Sequence, residues 1–233
     1  MKTFYLILAA IILAARVDGQ IKLGVQAGPT LTNAVRKWGE SGTKVKQNTI
    51  NKLGYIFGVV ATVPVNSSLF FQPGLNFGKE GYKMDLFNAS DTSNFYFMSD
   101  EKVNFLEVPL DLIYHISAKK GLFYFGAGPV IGHGLSGKYE DMSGSSGPGQ
   151  HPSSTSSIIK FNRQQSWSDG VEHRKPVMLS ANLLVGYQMR RGLFINIEYK
   201  YGLRNVGPAY GSLTYNSLGV QLGFQFNSRS KLF

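Results

Sequence analysis

The sequence predicts an all-β protein, an eight-stranded antiparallel up-and-down transmembrane β-barrel. Three observations carry that prediction: a hydrophobic period of two sustained over eight segments of 10 to 14 residues, connections that alternate between long and short, and glycine collected on one face of the strands. The 233 residues include 27 Gly and no Cys, with 43% hydrophobic and 16% charged residues. That composition excludes a disulfide or thiolate-metal scaffold and argues against a disordered polyelectrolyte. After the first 15 residues no apolar run reaches the ~18 residues that a spanning helix needs. A membrane would have to be crossed with strands.

The chain opens on Met1-Lys2-Thr3, an apolar stretch from Phe4 to Ala15, and Arg16-Val17-Asp18-Gly19. A basic start, a short apolar core and small residues at the exit predict a secretory signal peptide over 1–19, cut after Gly19, followed by one outer-membrane β-barrel domain over 20–233. With no Cys near the cut, the mature chain is not expected to be a lipid-anchored lipoprotein. It keeps 22 basic against 13 acidic residues over 214, a net charge of +9.

The predicted strands are 20–31, 54–65, 69–78, 104–117, 122–134, 177–189, 193–204 and 215–226, each about the length of a tilted strand crossing a bilayer. In the last of them Leu218, Val220, Leu222, Phe224 and Phe226 alternate with Ser217, Gly219, Gln221, Gly223 and Gln225. Short turns at Asn66-Ser67-Ser68, Lys119-Lys120-Gly121 and Arg190-Arg191-Gly192 carry the residues that tight hairpins favour. Long connections at 32–53, 79–103 and 135–176 then all fall at the opposite end, with 205–214 intermediate. Short periplasmic turns and long outer loops are the layout of a small outer-membrane barrel.

A soluble calycin-like barrel would show the same period with the apolar set inside. Residue size separates the two. Fourteen glycines, from Gly24 and Gly28 to Gly219 and Gly223, share the polar face and none lies on the apolar one. A water-facing sheet gains nothing from glycine, whereas a narrow eight-stranded interior has no room for large side chains from every wall. The charged strand residues Lys22, Glu107, Asp111, Glu198, Lys200 and Arg204 share the Gly-rich face, and large aromatics such as Tyr55, Phe57, Tyr114, Phe125 and Tyr199 occupy the other. The apolar face therefore points to lipid.

Phe105-Leu106-Glu107-Val108-Pro109-Leu110, Gln72-Pro73-Gly74-Leu75 with Lys79-Glu80-Gly81-Tyr82, Gly126-Ala127-Gly128-Pro129-Val130 and Glu198-Tyr199-Lys200-Tyr201-Gly202-Leu203-Arg204 occur in the order found in PorT-like outer-membrane barrels of Bacteroidota. The chain resembles that family over nearly its whole mature length. The resemblance implies an eight-stranded barrel in a family mostly without assigned roles, one branch of which takes part in type IX secretion and gliding. Ser217, Gly219, Leu222 and Phe224 further resemble the assembly signal read by the barrel-insertion machinery, although the chain continues past Phe226 to Phe233.

With Phe70, Phe105, Phe194, Tyr124 and Gln221 also pointing inward, the interior is expected to be plugged rather than a pore. Lys22, Glu107, Asp111, His115, Glu198, Lys200 and Arg204 are expected to form an interior polar and ionic cluster, because buried charges must be paired. No enzyme, cofactor or metal is predicted. His133, Ser136 and Asp141 are the nearest approach to a lipid A-modifying site, but three residues of extended chain set His133 and Ser136 on opposite faces. His115, His151 and His173 lack metal-ligand spacing, and export argues against nucleic acid as a partner.

Expected partners are outer-membrane lipid and lipopolysaccharide, the barrel-assembly machinery, and a periplasmic or secretion-system protein. Arg36, Lys37, Lys44, Lys46 and Lys52 would set loop one against lipopolysaccharide phosphates. Lys119, Lys120, Arg190, Arg191, Arg229 and Lys231 make the periplasmic end basic. The Ser- and Gly-rich run from Ser143 to Gly149 and Ser153 to Ser157 reads as flexible, with Trp167 beyond it. A non-enzymatic scaffold or loop-presenting binding protein is the function these features predict, ahead of a type IX accessory component and a lipid A-modifying enzyme.

Overall fold

Valine, isoleucine, tyrosine and phenylalanine at every second position favour extended backbone, and the computed structural model places eleven strands in one sheet. It describes residues 21–38, 45–47, 49–89, 94–146, 151–162, 171–207 and 211–226. The predicted signal peptide, Trp167 and the tail after Phe226 lie outside the described residues.

Eight strands close a ring: β1 (Lys22–Trp38), β3 (Lys52–Pro64), β4 (Leu69–Ala89), β5 (Asn94–Ala118), β6 (Gly121–Ser146), β9 (Val177–Met189), β10 (Leu193–Gly202) and β11 (Gly211–Gln225). The seam is the antiparallel pairing of β1 with β11, running from Gly24 opposite Gln225 to Trp38 opposite Gly211. Three short strands lie outside the ring. β2 (Val45–Gln47) pairs β1, while β7 (Ser153–Phe161) pairs β6 and carries β8 (Glu172–Arg174) in parallel. All ring pairings are antiparallel.

Lipid-facing and interior positions alternate as the residue sizes require. Leu183, Ile197 and Val220 point outward at 60%, 49% and 43% exposure, whereas Gln221 is 1% exposed inside. Aromatic rings use the glycines opposite them. Phe194 is paired with Gly223 and Tyr124 with Gly186, and a Cβ on either glycine would meet the ring at 2.1 and 2.4 Å. Each interior ring thus fills the space that two facing side chains cannot share.

The predicted long loops are a correction. Most of 79–103 is strand, because β4 and β5 stay paired up to Ala89 opposite Asn94, and 135–146 continues β6. Ser143–Ser146 and Ser153–Ser157, predicted flexible, are ladder residues of β6 and β7. Loop one is likewise shortened from both sides by β1 and β3. At the other end the turns are as short as expected: Asn66 Oδ1 accepts the Ser68 and Leu69 amides at 2.9 and 2.8 Å, and Gly192 turns at a φ of 93°.

Candidate functional site

The barrel interior is layered. In the membrane-spanning part, Gln188 donates to Gln225 at 2.6 Å, Gln225 to Thr62 at 2.8 Å and Gln72 to Thr62 at 3.0 Å near the periplasmic end. Phe70 stacks on His115 at 4.0 Å beside them. Higher up, Asn182 Nδ2 donates to both oxygens of Asp111 at 3.1 Å, and Gln221 Nε2 donates to Glu198. Above these the Lys200 ammonium donates to Glu80 at 2.7 Å and to both oxygens of Glu107 at 2.9 and 2.7 Å. One cation shared by two carboxylates in a dry interior is held by geometry as much as by charge.

Of the seven residues predicted for the interior cluster, Glu107 and Lys200 are in direct contact, while Asp111 and Glu198 are each capped by an amide. His115 packs on Phe70 and Tyr124. Lys22, the first residue of β1, is half-buried on the interior face at the short-turn rim, opposite Thr62 and within electrostatic reach of His115. One differs from expectation. Arg204 is exposed, because β10 ends at Gly202 rather than continuing to residue 204. Glu80 was missed; it lies beyond the predicted end of its strand.

Above the membrane the interior turns apolar. Ala34, Met84, Val103, Phe105, Ile159, Met178, Val206 and Leu213 form one buried cluster, with Phe161 against it. Phe161 lies over Gly134, where a Cβ would meet its ring at 2.3 Å, and meets Phe105 edge-on at 6.0 Å. β8 then seats Arg174, 2% exposed, inside the mouth. Its guanidinium grips Glu101 through both terminal nitrogens, one bond being 2.6 Å, while Nε donates to Glu172 at 2.7 Å. The Tyr215 hydroxyl bonds both Arg174 and Glu101. Burial alone would pull the Arg174 pKa down, but Glu101, Tyr215 and Glu172 together hold it well above its usual value. Burial, and then Glu101, push Tyr82 well above the usual tyrosine range. Tyr215 rises through burial and Glu101 against the lowering pull of Arg174.

Cavities at both levels are water-sized. One of about 10 Å³ lies among Glu80, Glu107, Lys200 and Tyr215, and another of about 10 Å³ among Thr62, His115, Tyr124 and Phe194. Each has room for about one water. No group of three metal-ligating side chains occurs among the described residues.

The catalytic comparison needs a correction of its geometry. Opposite Asn104 and Phe105 the partner on β6 steps from Ser136 to Gly134, a bulge that leaves Leu135 over and reverses the facing of β6 above it. His133 and Ser136 are therefore both exposed, not opposed. Ser136 Oγ instead accepts Asn104 Nδ2 at 3.0 Å, and no bond joins it to His133 among the described residues. The predicted assembly residues divide by face, with Ser217 and Gly219 inside and Leu222 and Phe224 toward lipid.

A closed ring with its greasy side outward and a polar interior defines an outer-membrane β-barrel. Sequence comparison agrees: the profile of the outer membrane protein beta-barrel domain matches residues 15–207, and the chain belongs to that family. Similar solved structures include Ail, the attachment invasion locus protein of Yersinia pestis, in complex with the heparin analogue sucrose octasulfate, at 12% identity and a TM-score of 0.34 over 89% of this chain and 99% of that one. Neisserial surface protein A matches at 14% identity and a TM-score of 0.34 over 88% and 97%. The outer membrane protease OmpT of Escherichia coli matches at 10% identity and a TM-score of 0.31 over 91% and 98%. No curated protein matches the chain in sequence.

Proposed function

We propose that the protein is a non-enzymatic outer-membrane scaffold whose plugged barrel holds up a rigid extracellular β-sheet as a binding surface. The observation that carries this is the sealed mouth: Phe161 and Arg174 enter it from β7 and β8, and the strands that would frame a pore continue upward as a sheet instead. The sheet formed by β4 to β7 exposes Met98 and Met142, directly paired across β5 and β6, at 46% and 44%. Two methionines presented to water make an adaptable apolar contact.

Planar-bilayer recording of the purified barrel is expected to show no stepwise conductance; steady open-channel currents would overturn the plug. Photocrosslinking from residue 98 in intact cells is expected to capture an external or neighbouring protein, which a crosslinker at lipid-facing residue 220 does not.

The order of its motifs, Phe105–Leu110 among them, supports a second reading as a PorT-like accessory of type IX secretion, exported by a signal peptide over residues 1–19. Deletion that leaves C-terminally tagged cargo secreted and gliding intact would remove it. An unchanged lipid A mass spectrum on deletion is expected, since among the described residues Ser136 Oγ is bonded to Asn104 and to no base.

A further inference from the structure

On β4, β5 and β6 the lipid-facing surface ends in a row formed by Phe77, Leu106 and His133, which are cross-strand neighbours. Above that row the outward positions become basic. Lys79 and Lys83 follow on β4, Lys102 on β5 and Lys138 on β6. Lys102 and Lys138 stand directly opposite each other across the strand pair. Like charges so placed destabilise a sheet, and the outward anions nearby, Asp85, Asp100 and Glu140, are fewer than the cations. Glu140 bonds Lys138 at 2.9 Å. Asp100 is taken by Lys52, whose Nζ also donates to the Glu101 carbonyl at 2.9 Å. Lys79, Lys83 and Lys102 have no carboxylate partner among the described residues.

Burial, and then Lys102, Lys83 and Lys79 in turn, draw the Lys52 ammonium down to about 8 despite its bond to Asp100. Three of the charges that lower it are lysines of this wall. The wall across the barrel differs: at corresponding heights β1 presents Asn33 and Val35, and β11 presents Thr214 and Asn216. At these heights the excess lies on β4, β5 and β6; on β1 the next outward cation is Lys37, higher up.

Lys79 is two residues above Phe77 and Lys102 four above Leu106. At about 3.3 Å per residue and a tilt of about 45°, they stand roughly 5 and 9 Å above the apolar edge, and Lys83, six residues above Phe77, about 14 Å, so the row starts in the headgroup layer and rises out of it. Leu75 and Leu106, at 46% and 38% exposure, lie below them on the same wall. We propose that Lys79, Lys83, Lys102 and Lys138 bind the phosphates of an outer-leaflet glycolipid that carries more than one phosphate, with its acyl chains lying on Leu75, Phe77 and Leu106. Several unpaired ammonium groups over an apolar strip complement a polyanionic headgroup on acyl tails better than they complement a free anion. The site stands whether or not the extracellular sheet has a protein partner.

The test is a native mass spectrometry titration of the detergent-purified full-length barrel with diphosphoryl lipid A. The Lys102→Gln/Lys138→Gln double variant is expected to bind roughly thirtyfold more weakly. Lys102→Arg, which keeps the charge, and Lys120→Gln in the short turn at the far end of the barrel should bind as the parent does. Dephosphorylated lipid A should bind poorly, and inorganic phosphate at equal concentration should not displace the lipid. Undiminished binding by the double variant, or displacement by inorganic phosphate, would overturn the proposal. Folding is monitored by the heat-dependent gel shift. Without lipid, Lys102→Gln is expected to melt at the parent temperature or above, since it relieves an opposed pair; a lower midpoint would count against the site.

Discussion

The part of the barrel in the membrane and the part above it are made from the same strands with opposite solvent logic. Below Lys200 the outer wall carries Leu183, Ile197 and Val220 and the interior carries Asp111, Asn182 and Gln221. Above it β4 turns Lys79, Lys83 and Asp85 outward and Glu80, Tyr82 and Met84 inward. Apart from the Leu135 bulge on β6, the strand period is unbroken; what changes is the polarity assigned to each face, at the height where hydrocarbon gives way to water. The lower part is a membrane protein by its exterior, and the upper part is a small soluble barrel by its core.

That contrast can be broken by design. The largest effect is expected from Lys200→Ala, which strands Glu80 and Glu107 in the interior and should lower the unfolding free energy by about 3–5 kcal/mol, measured by urea titration in detergent micelles. Replacing all three by apolar residues of similar volume should restore most of it, since the loss comes from unpaired charge.

A smaller effect separates the two outer walls directly. Ile197→Lys faces lipid near mid-depth and should cost about 2–4 kcal/mol in a lipid bilayer, while Met98→Lys, exposed above the membrane, should change stability by less than about 0.5 kcal/mol. Equal penalties would mean that the upper sheet is also immersed.

Alkaline titration reaches two buried tyrosines of the upper core. Tyr82 and Tyr215 bind their protons more tightly when folded, so the unfolded state loses protons first as pH rises through the ordinary tyrosine value of 10.0. The contribution of these two tyrosines is therefore untouched below that pH and falls above it, by at most about 1.4 kcal/mol per pH unit for each. Tyr82→Phe and Tyr215→Phe should each flatten the slope of the unfolding midpoint between pH 10 and 11. The smallest effect is expected from Glu140→Gln. Its partner Lys138 is mostly in water, and the thermal midpoint should not move.

The lower part was legible because lipid imposes a single rule, apolar outside, that repeats along every strand. That rule ends at Gly78, where the outward residues become Lys79 and Gly81, although Glu80, Tyr82 and Met84 continue the same period with the sign reversed. Glu80 was lost as a partner of Lys200 for that reason. The Arg174–Glu101 clasp joins residues 73 apart through β8, a three-residue strand whose place depends on β7 folding back along β6, and no local pattern announces it. The bulge at Leu135 was equally silent, and it decides which way Ser136 faces.

β5 runs for 25 residues, about 80 Å of extended chain, of which a bilayer crossing consumes only 9 to 11. At the tilt of such strands the remainder reaches roughly 30 Å beyond the membrane. In a dense carbohydrate coat, antibodies and bacteriophage would meet Tyr96 and its neighbours at the crest long before anything nearer the bilayer, so variation between strains of the organism should concentrate there.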